Sequence, residues 1–240
     1  MHGVVDFHTH ILPKIDDGSK STEEALAMLR AEWEQGVKEV VLTPHFYPQM
    51  DDPYKFLERR QTAFQQLQEA MGEEPLPKLR LGAEVYFYNG MSNSEILKEL
   101  TISGTKCILV EMPNSPWTER MYMELADIYN KQELIPIVAH IDRYIRPFHT
   151  HGIPQKLALL PVLVQASGDF FVKSKTRRLA MKLLKEDKIQ LLGSDCHNMQ
   201  SRPPALDKAE EAIVKSLGES AIQRINALEQ QVFSDPDFIL

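Results

Sequence analysis

Seven times along this chain a short apolar run gives way to a stretch with apolar residues at helical spacing, and that alternation limits the fold to one built from βα units. Strands are predicted over residues 4–7, 39–42, 78–85, 107–111, 135–139, 162–165 and 189–192. Between the first two, Ser21-Thr22-Glu23-Glu24 supplies a capping box ahead of Ala25, Leu26, Leu29 and Trp33, and Gly36 ends that helix. Pro53 opens a second helix, with Phe56, Phe64 and Leu67 on its apolar face, which stops at Gly72. Further helices are predicted over 93–100, 118–131, 154–159 and 175–186. Repeated βα units imply parallel strands joined by right-handed crossovers, and seven of them point to a closed or nearly closed α/β barrel. An open doubly wound sheet is the alternative architecture.

A chain of 240 residues that is 43% hydrophobic can bury one full-sized core, and no linker, repeat or like-charge tract divides it, so residues 1–240 are expected to form one domain. No basic leader and no apolar run of 18 residues is present, which predicts a cytoplasmic protein without membrane insertion. Two cysteines, Cys107 and Cys196, are too few for a disulfide framework and read as small buried hydrophobes. A net charge of −7 argues against nucleic acid as a partner. It leaves room for a phosphorylated substrate, because carboxylates that hold divalent cations make a locally positive site.

The residues that carry chemistry fall where predicted strands end. His8 and His10 follow the first strand, and their i, i+2 spacing turns both imidazoles to one side while Thr9 faces away. His45 follows the second strand, Glu84 the third, Glu111 the fourth, His140 the fifth, and Asp195 with His197 the seventh, while Asp17 joins from the loop after the first. In α/β barrels such ends converge on one mouth, so residues distant in sequence would meet there. Taken singly, each has an ordinary structural reading as a packed imidazole, a turn aspartate or a salt-bridge partner. Taken together, five His, two Glu and two Asp are too many ligands for one ion and suit two or three. His2, His149 and His151 lie outside this pattern.

The motifs His8-Thr9-His10, Asp16-Asp17-Gly18, Thr43-Pro44-His45, Gly82-Ala83-Glu84, Glu111-Met112-Pro113, His140-Ile141-Asp142-Arg143 and Asp195-Cys196-His197 together resemble the polymerase and histidinol phosphatase superfamily. Within it the chain is most similar, over residues 4–202, to the bacterial manganese-dependent protein tyrosine phosphatases of the CpsB/YwqE type, which accompany capsule and exopolysaccharide synthesis. The resemblance implies a distorted (β/α)7 barrel with three divalent metal ions, Mn²⁺ by family, although mixed imidazole and carboxylate ligation also accepts Fe or Zn. By motif, His8, His10, Glu84 and Asp195 would hold the first ion. Glu84 would bridge to a second with Glu111 and His140, and Asp17, His45 and His197 would hold the third.

The resemblance further assigns Arg143 and Arg202 to the phosphate oxygens, a task that suits the bidentate guanidinium fork. The implied reaction is phosphomonoester hydrolysis by hydroxide held between metals, with a phosphotyrosine protein, a bacterial tyrosine kinase, as substrate. Asp195 and His197 are within the set that could protonate the leaving group. A small-molecule phosphatase acting on histidinol phosphate, and a non-catalytic metal-binding module that recognises phosphoproteins, are the competing readings. The loop Phe46-Tyr47-Pro48-Gln49-Met50 departs from the family pattern in lacking a second histidine, whereas the end of the sixth strand, Gln165-Ala166-Ser167-Gly168, offers no ligand, in keeping with the resemblance. Cys196 and Arg202 reproduce the C-x5-R spacing of thiol-dependent tyrosine phosphatases, but the five residues between them contain no glycine, so the match reads as coincidence.

Overall fold

The computed structural model describes residues 4–145, 152–235 and 238–240, so His2, His149 and His151 lie outside the described residues. Every strand pairing among the described residues is parallel, as βα alternation requires. Strands β1 (Val4–Thr9), β2 (Val37–Leu42) and β4 (Lys78–Leu81) form one sheet, in the order β1-β2-β4. Strands β3 (His45–Phe46), β5 (Glu84–Tyr86), β6 (Cys107–Glu111), β7 (Ile135–Val138), β8 (Leu163–Ser167) and β9 (Leu191–Gly193) form the other, in that order.

The two sheets are one curled wall. The second predicted strand is broken into β2 and β3 at Thr43-Pro44, and the third into β4 and β5 at Gly82-Ala83. Pro44 has no N–H to give a ladder, yet its carbonyl accepts from Glu84 N at 3.0 Å, so the chains stay in register across the break. Counting each broken strand once gives the expected seven. Closure comes at the other edge, where Thr9 bridges Cys196, His10 N donates to Cys196 O at 2.9 Å and Asp195 N donates to His8 O at 2.8 Å. The result is a distorted seven-stranded barrel, and the open-sheet alternative is set aside.

Helices cover the outside. Helix α1 (Thr22–Glu34) starts as its capping box predicts, with the Ser21 hydroxyl accepting from Glu24 N at 3.2 Å. Helix α2 (Pro53–Met71) takes Asp52 as its cap and Pro53 in its first turn. Helix α3 (Glu119–Gln132), α4 (Asp142–Ile145), α5 (Ile153–Leu157), α6 (Gly168–Val172) and α7 (Arg177–Lys185) follow. The stretch 93–100, expected as α-helix, is instead two 3₁₀ turns, Met91–Asn93 and Glu95–Leu100. Leu97 and Leu100 are both buried at a spacing of three, which a three-residue turn stacks directly and an α-helix does not.

Two helices beyond the sequence expectation, α8 (Leu206–Leu217) and α9 (Glu219–Ser234), finish the fold. Side chains from β1, β2, β6, β7, β8 and β9 meet in one apolar cluster with Val232 of α9 and with Phe238. Strands from all round the wall share contacts only inside it, so this cluster fills the barrel and α9 closes the end opposite the mouth. Phe233 stacks on Phe7 with ring centroids 5.1 Å apart, and the Arg80 guanidinium lies over the Phe233 ring, 4.0 Å from its centroid. The final stretch therefore packs on the barrel; Pro236 and Asp237 of that stretch lie outside the described residues. No helix among the described residues is long and apolar enough to cross a membrane.

Candidate metal centre

All nine sequence-predicted ligands converge at the C-terminal mouth. His8 Nε2 lies 3.1 Å from His10 Nε2 and 3.1 Å from Glu84 Oε2, with Asp195 Oδ1 at 3.6 Å. Thr9 turns away as expected, its hydroxyl donating to Val41 O at 2.9 Å and stitching β1 to β2. Glu84 Oε1 is 2.8 Å from His140 Nε2, whose distance to Glu111 Oε1 is 3.9 Å. His45 Nδ1 is 2.9 Å from Glu84 Oε2 and 3.8 Å from Glu111 Oε2. Asp17 Oδ1, on an exposed loop, lies 3.5 Å from His45 Nε2 and 3.4 Å from His197 Nε2.

The groups able to share an ion overlap at this mouth without separating into the three sets the motifs imply, because Glu111 groups with Glu84 and His45 in place of Glu84 and His140. His8, His10 and Asp195 form one; Glu84 stands with His8 and His140 and, on its other side, with His45 and Glu111; Asp17, His45 and His197 form the last, which His10 joins. Glu84 is thus the hub, and His10 stands between the first and last clusters.

Donor orientation fits cations. His8 Nδ1 faces Gln165 Oε1 at 3.3 Å, His10 Nδ1 faces Asp16 Oδ2 at 2.7 Å, and His197 Nδ1 faces the Asp195 carbonyl at 3.0 Å. An acceptor at Nδ1 keeps the proton there and leaves the Nε2 lone pair directed into the cluster, the arrangement that metal-binding imidazoles adopt. His197 Nε2, Glu84 Oε2 and Glu111 Oε2 are buried with no hydrogen bond, although Glu84 Oε2 has three imidazole nitrogens around it. Buried polar atoms left so are rare, and a shared cation satisfies them together.

Asp16 and Gln165 are the functional residues that sequence reasoning passed over. Asp16 Oδ2 also accepts from His45 N at 3.0 Å and Oδ1 from Gly18 N at 2.9 Å, so one carboxylate locks two of the histidine-bearing segments. Its presence in an Asp-Asp-Gly turn was the available signal. Gln165 Oε1 accepts from His140 N at 2.6 Å besides facing His8. The sixth strand therefore supplies a support in place of a ligand, and only its position at a strand end hinted at this.

Backbone strain and close approach serve the same geometry. His140 and Asp195 have φ of 31° and 55°, in the left-handed region. Such a conformation costs of order 1–3 kcal/mol per residue and is held here by the bonds from His140 N to Gln165 and from Asp195 N to His8 O. A Cβ on Gly18 would sit 2.1 Å from His10 O, and one on Gly193 would sit 2.6 Å from the His8 Cβ, so both positions need glycine for the first histidine pair to seat.

The charges follow from these contacts. Burial pushes the Glu84 carboxyl up, but the imidazoles of His8, His10, His140 and His45 outweigh it and hold the group well below its ordinary range. Burial likewise opposes ionisation of Asp195, and His8, Arg143 and His10 overcome it, bringing the carboxyl to about 2. His10 resists burial through Asp16 and Glu84 and is raised to about 10, whereas burial and the nearby His10 lower His197 to about 4. Glu111 is pushed up by burial and by Glu84. Arg143 is ion-paired to Asp195 Oδ2, and Arg202 Nη2 reaches the same oxygen at 2.6 Å, so both predicted arginines stand at the rim of the cluster.

Cys196 is fully buried on the side away from this mouth. Burial, then the neighbouring Glu32 and Asp6 carboxyls, push its thiol well above the ordinary value, and Sγ lies 3.9 Å from Glu32 Oε1. A thiolate nucleophile needs the reverse environment, so the C-x5-R match carries no chemistry. Cys107 is buried as well, which bears out the reading of both cysteines as core residues.

Comparison with known proteins agrees with this geometry. Tyrosine-protein phosphatase CpsB of Streptococcus agalactiae serotype III (strain NEM316) is 26% identical over 235 residues, covering 94% of each chain. Tyrosine-protein phosphatase YwqE of Bacillus subtilis (strain 168) is 26% identical over 226 residues, covering 90% of this chain and 85% of that one. Among solved structures, the metal-dependent tyrosine phosphatases YwqE from B. subtilis and CpsB from Streptococcus pneumoniae share the fold at a TM-score of 0.83 and 21% identity, covering 99% of this chain and 96% of the other. Histidinol phosphate phosphatase from Lactococcus lactis, solved with zinc, L-histidinol and phosphate, shares it at a TM-score of 0.56 and 17% identity, covering 88% and 93%. The family model for capsular polysaccharide synthesis, CpsB/CapC, matches residues 4–232, which takes in both C-terminal helices beyond the motifs themselves. By that match, which spans nearly the whole sequence, the chain belongs to the CpsB/CapC family.

Proposed function

We propose that the chain, acting as one catalytic domain in the cytoplasm, is a metal-dependent protein tyrosine phosphatase whose substrate is a bacterial tyrosine kinase of capsule or exopolysaccharide synthesis. The observation that carries this reading is the meeting of nine imidazole and carboxylate groups beside two arginines at the barrel mouth. In it, His8, His10, Glu84 and Asp195 hold one ion, Glu84, Glu111 and His140 a second, and Asp17, His45 and His197 a third, with Mn²⁺ as the metal. Ions bound there supply Lewis acidity, polarising a phosphoryl oxygen and acidifying water at neutral pH.

The protein's own groups do the rest. Arg143 and Arg202 present N–H donors that neutralise charge on the phosphoryl oxygens, and Asp195 holds both guanidiniums at the rim by accepting from Arg143 and ion-pairing with Arg202. Asp16 and Gln165 fix the ring orientations of His10 and His8. A cavity of about 390 Å³ beside Glu111, His140 and Arg143 is lined by Asn114 and Asp142 and also by Tyr86, Met112 and Tyr144, which offer aromatic and apolar surface to a phenyl ring. A phenol is also a comparatively good leaving group, with a pKa near ~10.

The deciding experiment measures release of phosphate from a phosphotyrosine peptide and from histidinol phosphate on Mn²⁺-loaded protein, before and after chelation. Turnover of the peptide that chelation abolishes and Mn²⁺ restores is the expected result. Preference for histidinol phosphate would assign the small-molecule activity, metal-dependent binding without turnover would assign a recognition module, and activity that survives chelation would overturn the metal scheme.

A further inference from the structure

Next to the ligand cluster, a cavity of about 590 Å³ opens against Arg143, Arg202 and the Asp195 carboxylate. Its lining also includes two lysines, Lys173 at the end of α6 and Lys208 in the first turn of α8. The mechanism uses neither.

The carboxylates in this cavity are already engaged. Asp195 is shared by both arginines, Asp142 Oδ1 accepts from Ser167 N at 2.9 Å, and Asp169 pairs with Lys173 at 2.6 Å. Lys208 is exposed and has no ion-pair partner among the described residues. Four cationic side chains therefore face three carboxylates in one cavity, on a chain whose net charge is −7. A local excess of positive charge on an acidic protein selects anions there.

We propose that this cavity is a second anion subsite, in which Lys208 recognises an anionic group neighbouring the phosphotyrosine whose phosphate lies at Arg143 and Arg202. The group is an acidic side chain or a second phosphate on the same polypeptide. The proposal rests on the reading of the protein as a phosphotyrosine phosphatase and adds its sequence preference. Lys208 is a specificity-determining residue, remote from the reacting atoms. An exposed charge pair of this kind discriminates by about fivefold, and the discrimination disappears near 1 M salt, where the screening length is about 3 Å.

The test compares kcat/KM of the metal-loaded full chain on three phosphotyrosine peptides of equal length. One carries glutamine beside the phosphotyrosine, one glutamate, and one a non-hydrolysable phosphonate. The wild type is expected to prefer the two anionic peptides by about fivefold at low salt and not at 1 M salt. Lys208→Met should bring the ratio to about one, and Lys208→Glu should invert it. Preference for the phosphonate alone would assign the subsite to a second phosphate. Equal turnover of all three peptides by the wild type, or a preference that persists in both variants, would overturn the subsite and leave the phosphatase reading intact. Failure to cleave any of the peptides, with small phosphate esters still hydrolysed, would instead overturn the phosphotyrosine reading beneath it.

Discussion

His8 Nε2 and His10 Nε2 lie 3.1 Å apart, each with an acceptor at its own Nδ1. With both Nδ1 protons held by acceptors, the two Nε2 atoms are placed to share one cation, and taking up a metal there would displace any proton between them.

Replacing both histidines by alanine is expected to remove bound metal and to lower kcat at least about a hundredfold, with secondary structure retained. Elemental analysis, phosphatase assay and circular dichroism on the same preparation check it. Full metal content in the variant would show that the pair is only the end of a strand.

Asp16→Asn and Gln165→Leu leave every first ligand in place and remove one support each. Loss of such a support typically weakens metal affinity by about 10–100-fold. Titration of apo protein with Mn²⁺ should show this weakening, and excess metal should restore part of the Asp16→Asn activity. Unchanged affinity in both would mean that the ring orientations are set by packing alone.

Cys196→Ser keeps a small side chain in a sealed position and should leave kcat near the wild-type value. Mutation of a catalytic thiol would abolish turnover with metal still bound, so activity and metal content measured together separate the two mechanisms.

Glu229 on α9 is fully buried, and burial pushes its carboxyl well above the ordinary value, with Glu210 and Asp6 adding to the effect while Val5 N donates to it. An acid whose folded pKa is raised binds its proton more tightly when folded. Its stability contribution is complete below the unfolded pKa, about 4.3, and is lost as pH rises towards the folded value. Glu229→Gln mimics the protonated form and should raise Tm relative to wild type at pH 8 by roughly 6 °C, equivalent to about 2 kcal/mol, while changing little at pH 4. Thermal melts at the two pH values measure it; an equal shift at both would mean that the charge is not the cause.

Most of the site was legible because strand ends converge whatever the loops do. His45, Glu84 and His140 needed only their strands to be placed correctly. What escaped notice was of two kinds. Asp16 and Gln165 act through hydrogen bonds to other side chains and to backbone, and a support has no spacing rule to betray it. Helices α8 and α9 carried their signal openly, with Leu206, Ala209 and Ile213 and then Ala221, Ile225 and Val232 at helical spacing on either side of Gly218. The breaks at Thr43-Pro44 and Gly82-Ala83 turn single apolar runs into two strands each, a matter of barrel curvature that local pattern does not record. The 3₁₀ turns at Glu95–Leu100 are of the same origin, since buried leucines three apart fit either helix until packing decides.

The bridge from Thr9 to Cys196 joins β1 to the segment that follows β9. Without that segment, His8 and His10 have neither Asp195 nor His197 to face. A chain cut short of that segment is thus unable to assemble the nine-residue cluster, and metal retention would report on completed closure of the whole barrel.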